Sequence, residues 1–193
     1  GYAYASAITQ EGYGESANLT ITNHGDVTAM ASATADPNYQ AYAYAAASGI
    51  DQEAYSGGAN TGDIYNDGSV TATALANAEA IDDASAYATA YAYATGIEQE
   101  SGGDSATMTL TNHGDVSATA TANAVAATRA YAWASATGVY QEADGDGNNV
   151  ADTYNDGSIT ASAVAGATGT KAYAGASATG VDQYGYGGVA QLT

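Results

Sequence analysis

Two histidines are the first residues in this chain that could do chemistry. His24 and His113 lie in the matching phrases ITNHGDV and LTNHGDV, 89 residues apart. Stacked strands lie about 4.8 Å apart, so two histidines separated by two repeats would be about 10 Å apart, too far to share one metal ion. Both fit turn positions with a positive φ, which histidine tolerates better than most residues. They support no Ser-His-Asp site, and we expect no enzyme.

Acidic residues offer a second chemistry, the binding of calcium. Asp144, Asp146 and Asn148 alternate in the phrase DGDGNN, and Glu142 precedes them. Oxygen ligands at alternate positions suit Ca²⁺, although the downstream bidentate glutamate of a complete EF-hand loop is missing. Calcium at this predicted turn is therefore the one candidate cofactor. Paired carboxylates could also hydrolyse glycosides. Solenoid enzymes of that kind, however, usually have larger apolar cores than this chain and carry basic residues that bind acidic substrates.

Glutamate also follows a recurring glutamine at Glu11, Glu53, Glu100 and Glu142. If the repeats stack in register, neighbouring carboxylates about 4.8 Å apart repel by roughly 1 kcal/mol in water and about 3 kcal/mol at an effective dielectric constant of 20. Protonation, a divalent cation, or side chains splayed in a mobile turn would offset this repulsion. We therefore expect assembly of the protein to improve at low pH or with calcium.

The composition excludes several functional classes. The 193 residues include 21 acidic and only two basic ones, for a net charge of −19. This charge disfavours nucleic acid and anionic membranes as partners. No run of 18 apolar residues occurs, so we expect no membrane insertion. Because the chain begins GYAYA without methionine, we expect a processed product or an excised part of a longer protein.

Two short phrases recur along the whole chain and show that it consists of repeats. The phrase Gly-(Ile/Val)-x-Gln, with one degenerate copy at the start, ends at Gln10, Gln52, Gln99, Gln141 and Gln183. The phrase Asn-(His/Asp)-Gly-(Asp/Ser)-(Val/Ile) begins at Asn23, Asn66, Asn112 and Asn155. The phrases interleave, so one unit recurs four times, followed by part of a fifth. The alternation of NHGD with NDGS adds an 89-residue super-repeat.

Within each unit the residues alternate with a period of two, as in VSATATANAVA, and this period predicts β-strands. The phrases NHGD, NDGS, ADPN, SGGAN and DGDGNN are turn formers. We therefore predict an all-β single domain over residues 1–193 without a separate linker, folded as a β-solenoid of stacked coils. Each unit of about 42–47 residues would form one large coil or two smaller ones. The five extra residues of the second unit fall within residues 76–96, where we expect a bulging loop.

Stacking would align equivalent side chains into ladders, meaning rows of one residue type that run from repeat to repeat. The recurring glutamines and asparagines would form two amide ladders of the kind that supports cross-β stacking. An aromatic face is predicted at Tyr42, Tyr44, Tyr91, Tyr93, Tyr131 and Trp133 because these residues are spaced by two within each unit. We expect this face to mediate lateral packing or surface adhesion, with carbohydrate recognition as the alternative.

Two stretches resemble known families of bacterial surface proteins. GVDQYGYGGVAQLT at the C-terminus and AITQEGYGESANLT at residues 7–20 resemble the curlin repeat of functional amyloid. The Thr/Ala-rich stretches, such as GSVTATALANAEA, are similar to passenger repeats of autotransporter surface proteins. The curlin-like match covers about a dozen residues in each unit. The whole unit is about twice as long as a curlin repeat. Both resemblances imply an extracellular structural or adhesive product.

The function predicted from these patterns is that of a secreted fibre subunit, located outside the cell or on its surface, where the fibre would form the scaffold of a surface layer or biofilm matrix. Copies would join head to tail as a homopolymer: the last residues, GYGGVAQLT, match GYGESANLT at residues 12–20, so the chain ends part-way through a unit whose remainder the N-terminal region of the next copy would supply in register. Neighbouring fibres or a glycan are further candidate partners. An adhesin passenger that binds glycans or surfaces is the alternative. The pairs Thr71/Thr73 and Thr119/Thr121 resemble ice-binding repeats, although equivalent positions elsewhere are irregular.

Overall fold

A computed structural model describes residues 1–81 and 84–193 of the chain. Within these residues the regular secondary structure is entirely β, and no helix is long and apolar enough to cross a membrane. The twelve strands are β1 (Tyr2–Gly14), β2 (Ala17–Asn23), β3 (Val27–Ala35), β4 (Gln40–Ser56), β5 (Ala59–Asn66), β6 (Val70–Ala80), β7 (Tyr87–Gly103), β8 (Ser105–Asn112), β9 (Asp115–Ala126), β10 (Arg129–Asn155), β11 (Ser158–Thr168) and β12 (Lys171–Leu192).

All pairings between the described strands are parallel, and they join equivalent residues of successive repeats. Gln10 pairs with Gln52, Gln52 with Gln99, and Gln99 with Gln141. Each repeat therefore contributes one set of strands, called a layer below, to each sheet. The prediction of an all-β fold is confirmed, and the strands are parallel.

The more specific prediction, a β-solenoid of stacked coils, is wrong. The strands form two sheets, and the larger, eight-stranded one follows the path β1-β4-β7-β10-β8-β5-β2, with β12 added beside β10. This path turns back through β10, and its two ends, β1 and β2, are consecutive in the chain. The larger sheet is therefore nearly closed and barrel-like, whereas the smaller sheet has the order β11-β9-β6-β3.

The reason for this difference lies in the phrase DGDGNN, which was predicted to be a turn. Residues 144–149 remain extended within β10, whose first part pairs with β7 and whose last part pairs with β8. Between Gly145 and Asn148 the register with β12 shifts by one residue, as in a β-bulge. A bend that keeps its strand pairing joins the two halves of the larger sheet where a turn would have separated them.

Alanine at alternate positions builds most of the core between the two sheets. Ala43, Ala74, Ala90 and Ala120 are fully buried members of one large alanine cluster. Small side chains let the two sheets approach closely while they still fill the space between them. A second buried cluster lies at one end of the alanine core and contains Ile21, Val27, Ile50, Ile64, Val70, Ile97, Leu110, Val116 and Val139.

A glycine in each of β4, β7 and β10 shifts the alternation by one residue. In β4 the buried side chains follow the odd positions up to Ala47, and Gly49 and Ile50 are then both buried, so that Gln52 points inward. A Cβ atom on Gly49 would lie 2.6 Å from the carbonyl oxygen of Gly96 and 2.5 Å from a methyl group of Val70. Only glycine fits there. The shift places Tyr44 on the outer side of the sheet and Gln52 on the inner side, although eight residues separate them.

The two ends of the chain lie in its outermost layers. The N-terminal residues form β1 and β2 of the first layer, and their pairing with the last layer of a neighbouring copy stays a prediction. At the other end β12 extends the larger sheet past β11, the edge strand of the smaller sheet. The expected bulging loop lies between Ala80 and Tyr87, where residues 84 and 85 form a turn and residues 82 and 83 lie outside the described residues.

Candidate functional site

The recurring glutamines form a continuous hydrogen-bonded ladder inside the larger sheet. Gln52 Nε2 donates to Gln10 Oε1 at 3.0 Å, and Gln99 Nε2 donates to Gln52 Oε1 at 2.9 Å. Gln141 and Gln183 continue the series at 2.7 and 2.8 Å. The side chains of Gln52, Gln99 and Gln141 are buried. Each amide thus binds its neighbour, as buried polar groups require.

The recurring asparagines form a second ladder at the turn between the two sheets. Asn66 Nδ2 donates to Asn112 Oδ1 at 2.6 Å and to the carbonyl oxygen of Gly68 at 3.1 Å. The same pair of bonds occurs at Asn23 and Asn112, so each asparagine holds its own turn and contacts the next layer. A Cβ atom on Gly68 would lie 2.0 Å from the carbonyl oxygen of Gly25. This close contact explains why the phrase Asn-x-Gly recurs.

The aromatic residues predicted to share a face lie together on the outer side of the larger sheet, with Tyr2 and Tyr4 added to them. We call this set the aromatic array. One row of rings runs through Tyr2, Tyr42, Tyr91 and Tyr131 with successive centroid distances of 5.4, 5.8 and 5.6 Å. A second row runs through Tyr4, Tyr44 and Tyr93 with distances of 5.4 and 5.5 Å. Such distances are typical of attractive contacts between aromatic rings.

Two open grooves flank this array. The first has a volume of 480 Å³ and is bordered by Tyr4, Tyr44 and Tyr93, with Glu98 at one end. The second has a volume of 370 Å³ and is bordered by Tyr131, Trp133 and Tyr173. Next to Trp133 stands Gly175, where a Cβ atom would lie 2.5 Å from the indole ring. Among the described residues no carboxylate lines the second groove, and this is the main chemical difference between the two.

The glutamates predicted to form a like-charged column do align in register across four layers. Glu11 pairs with Glu53, Glu53 with Glu100, and Glu100 with Glu142. They lie within strands, so the interpretation that they splay in a mobile turn is wrong. Tyrosine hydroxyl groups offset part of the repulsion by donating hydrogen bonds, from Tyr13 to Glu11, from Tyr55 to Glu100 and from Tyr140 to Glu142.

A second acidic column lies beside the first and was missed by sequence reasoning. Asp51 pairs with Glu98 in the neighbouring layer, and both point outward from the sheet. Burial, followed by the charges of Asp51 and Glu100, raises the pKa of Glu98 from 4.5 to about 7. Burial and nearby carboxylates also raise the pKa values of Asp51 and Glu53. The residues of this column differ in type from layer to layer, so no repeated motif marks it. The available signal was the alternation of inward and outward positions, which turns both Asp51 and Glu98 outward.

The predicted calcium residues do not form a compact ligand set. Asp144 and Asp146 are exposed side chains of β10, and Glu142 accepts the hydroxyl hydrogen bond of Tyr140. Asn148 follows the β-bulge and is also exposed. In the part of the chain that the structure describes, no three His, Asp or Glu side chains come close enough to hold a metal ion.

The two histidines each face an aspartate of the next layer. His24 Nδ1 lies 2.8 Å from Asp67 Oδ1, and His113 Nδ1 lies 2.5 Å from Asp156 Oδ1. The rings of Tyr65 and His113 meet edge to face at 5.5 Å. The interpretation that these histidines adopt a positive φ is wrong, because among the described residues only Gly14 and Gly187 do so. The alternation of NHGD and NDGS thus places a histidine against an aspartate of the next layer twice, at His24–Asp67 and at His113–Asp156.

Comparison with known proteins does not identify the chain: no family model, no curated protein and no solved structure matches it. The resemblances to curlin and to passenger repeats therefore stay predictions.

Proposed function

We propose that this chain is a structural subunit of a secreted extracellular fibre in which copies join end to end by parallel strand pairing. The observation that carries this proposal is the equivalence of the layers. Gln52, Gln99 and Gln141 each make the same amide contact with the layer before them. Because each layer binds the next in the same register and through the same glutamine amides, a layer of a second copy can make the same contacts.

The exposure of the outermost described layer is consistent with this mode of growth. Val139 in β10 is fully buried, whereas Val181, its partner in β12, is 43% exposed. Val189 and Leu192 in the same strand are 62% and 42% exposed. A further strand paired with β12 would cover these apolar side chains, and burial of apolar surface favours association. The smaller sheet ends one strand earlier, so the larger sheet carries most of this junction.

Negative-stain electron microscopy of the purified chain, with and without calcium, tests the proposal. We expect unbranched filaments of uniform width. The variant Val181→Lys should abolish them, because a charge would have to be buried at the junction without a partner. The control Val164→Lys alters an exposed outward position of β11 and should leave the filaments intact. Discrete short particles from the unmodified chain would contradict the proposal.

A second candidate function is that of a surface-binding module. The observation that favours it is the pair of aromatic-lined grooves, since concave sites with a few polar groups are typical of ligand binding. A stable monomer that retains a ligand on the aromatic array would support this function over the fibre.

A further inference from the structure

The first groove combines tyrosine rings with an acidic end. Tyr4, Tyr44 and Tyr93 come from three successive layers, and Tyr4 is 71% exposed. Ser6, Ser48 and Thr95 also line the groove and pair with one another in register, two residues beyond the row of Tyr4, Ala46 and Tyr93. Glu98 closes one end. The groove thus offers π-electrons along its length and a carboxyl group at its end.

More carboxyl groups stand behind Glu98. Asp51, Glu53 and Glu100 all interact electrostatically with it. Asp51 Oδ1 is shielded from solvent and has no hydrogen-bond partner among the described residues. Shielding a carboxylate oxygen from solvent without a hydrogen-bond donor costs free energy. A cationic donor that enters the groove beside Glu98 would reduce this cost through its charge.

The chain itself shows which kind of cation suits this side of the sheet. Arg129 holds its guanidinium carbon 5.5 Å from the ring centroid of Tyr87. Arg129 and Lys171 pair with each other in register, and they are the only Arg and Lys residues of the sequence. Neither lines the first groove. The chain therefore has no cation of its own for the site where carboxylates and tyrosines meet.

We propose that the first groove binds arginine side chains on an extended segment of a basic partner protein, with guanidinium groups against Tyr4, Tyr44 and Tyr93 and a charge-assisted hydrogen bond to Glu98. A guanidinium group stacks on aromatic rings and forms paired hydrogen bonds to a carboxylate, which an ammonium group does less well. The net charge of −19 draws a basic partner toward the surface. A neutral glycan would donate hydroxyl hydrogen bonds to the carboxylates but would bring no positive charge to offset theirs. The groove opens on the outer side of the sheet, and two of its three tyrosines, Tyr44 and Tyr93, lie on strands that already have a neighbour on each side.

Calorimetric titration of the full chain with the peptide acetyl-Arg-Gly-Arg-Gly-Arg-amide tests this proposal. Two comparison peptides carry lysine or citrulline at the same places; citrulline keeps the shape of arginine but has no charge. We expect the arginine peptide to bind most tightly, the lysine peptide to bind more weakly, and the citrulline peptide to lose at least about tenfold in affinity. Equal binding of the arginine and citrulline peptides would overturn the proposal, as would preferential binding of neutral oligosaccharides.

Matched variants locate the site. Glu98→Gln keeps the side-chain shape and should weaken binding about three- to tenfold. Tyr93→Ser should weaken it similarly, and serine is compatible with the sheet because Ser135 occupies the same register in the next layer. The controls Glu79→Gln, on the smaller sheet, and Tyr154→Thr, outside the groove, should leave affinity unchanged. Equal losses in Glu98→Gln and Glu79→Gln would show mere attraction to a polyanion and would refute the assigned site.

Discussion

The side-chain amide of Asn66 donates a 2.6 Å hydrogen bond to that of Asn112, and both side chains are fully buried. The asparagine ladder therefore points its donors toward later layers, whereas the glutamine ladder points its donors toward earlier ones, as in the bond from Gln99 to Gln52. The amide dipoles of the two ladders therefore point in opposite directions, and their summed dipole moments partly cancel. Each row also fixes the register, because a shift of one residue would leave buried amides without partners.

Loss of one ladder amide should destabilise the chain strongly. Asn112→Ala removes the acceptor of Asn66 and the donors to Gly114 and Asn155. We expect the free energy of unfolding to fall by about 1–3 kcal/mol, because buried polar groups of the neighbours lose their partners. Urea denaturation measures this change. Asn123→Ala is the control, because it removes an exposed bond between asparagines and should cost less than about 0.5 kcal/mol. Equal losses in both variants would show that burial of the ladder contributes nothing.

The glycine at the shift in alternation should be as sensitive as the amides. In Gly96→Ala the added Cβ atom would lie 2.4 Å from a methyl group of Val116 and 2.5 Å from the carbonyl oxygen of Gly138. Backbone atoms cannot move aside as easily as a flexible side chain. We therefore expect the free energy of unfolding, measured by thermal or urea denaturation, to fall by at least about 1–3 kcal/mol. A Cβ atom on Gly25 would meet nothing within 4 Å, and Gly25→Ala serves as the control. A Gly96→Ala variant as stable as Gly25→Ala would contradict the packing described above.

The equivalent glycine of β4, Gly49, shows where prediction from the sequence reached its limit. The period of two and the repeated phrases were sufficient to predict strands, the alignment of Gln52 with Gln99, and a shared face for Tyr42 and Tyr44. Strict alternation would have placed Gln52 and Tyr44 on the same side, but the extra inward residue at Gly49 separates them. That shift depends on close backbone contact between layers, which no local pattern reveals.

The barrel-like closure of the larger sheet could not be predicted for a related reason. Glycine, aspartate and asparagine in DGDGNN are typical of turns, and local propensity favoured one. Strand partners on both sides of β10 hold these residues extended instead, and Asn149 satisfies backbone carbonyl groups of Gly145 and Tyr186 with its buried side chain. Tertiary pairing thus outweighed local preference. The acidic column at Asp51 and Glu98 escaped notice because its members differ in type between layers.

The raised pKa of Glu98 leads to a prediction about stability and pH. Its pKa rises from 4.5 to about 7 in the folded chain, so between these values the folded state binds more protons than the unfolded state. The contribution of Glu98 to stability is therefore largest below about pH 4.5, falls as the pH rises toward 7, and is lost above it; the shift corresponds to at most about 3 kcal/mol. Glu98→Gln cannot ionise and should be more stable than the parent at pH 8 but not at pH 4. Denaturation at both pH values measures this difference.

The control for this experiment is Glu79→Gln, which removes one carboxylate from the exposed side of β6. It should change stability by less than about 0.5 kcal/mol at either pH. The groups that face Glu98 are Asp51 and Glu53 on β4 and Glu100 on β7, with Tyr140 on β10 beside them. A parent chain whose stability relative to Glu98→Gln does not change between pH 4 and pH 8 would contradict the assignment.

The rate of filament assembly should also depend on the protonation of carboxyl groups. The glutamate column stops at Glu142, because Tyr184 takes its place in β12, but end-to-end growth still brings together chains that each carry a net charge of −19. Burial with nearby carboxylates already raises the pKa of Glu53. Protonation lowers the repulsion between layers, so filaments should form faster at pH 5 than at pH 8, and added salt should narrow the difference by screening. Light scattering at matched protein concentrations measures both rates. Calcium should accelerate growth only at pH 8, where the carboxylates are ionised. Equal rates at the two pH values, with and without calcium, would show that these carboxyl groups do not limit assembly.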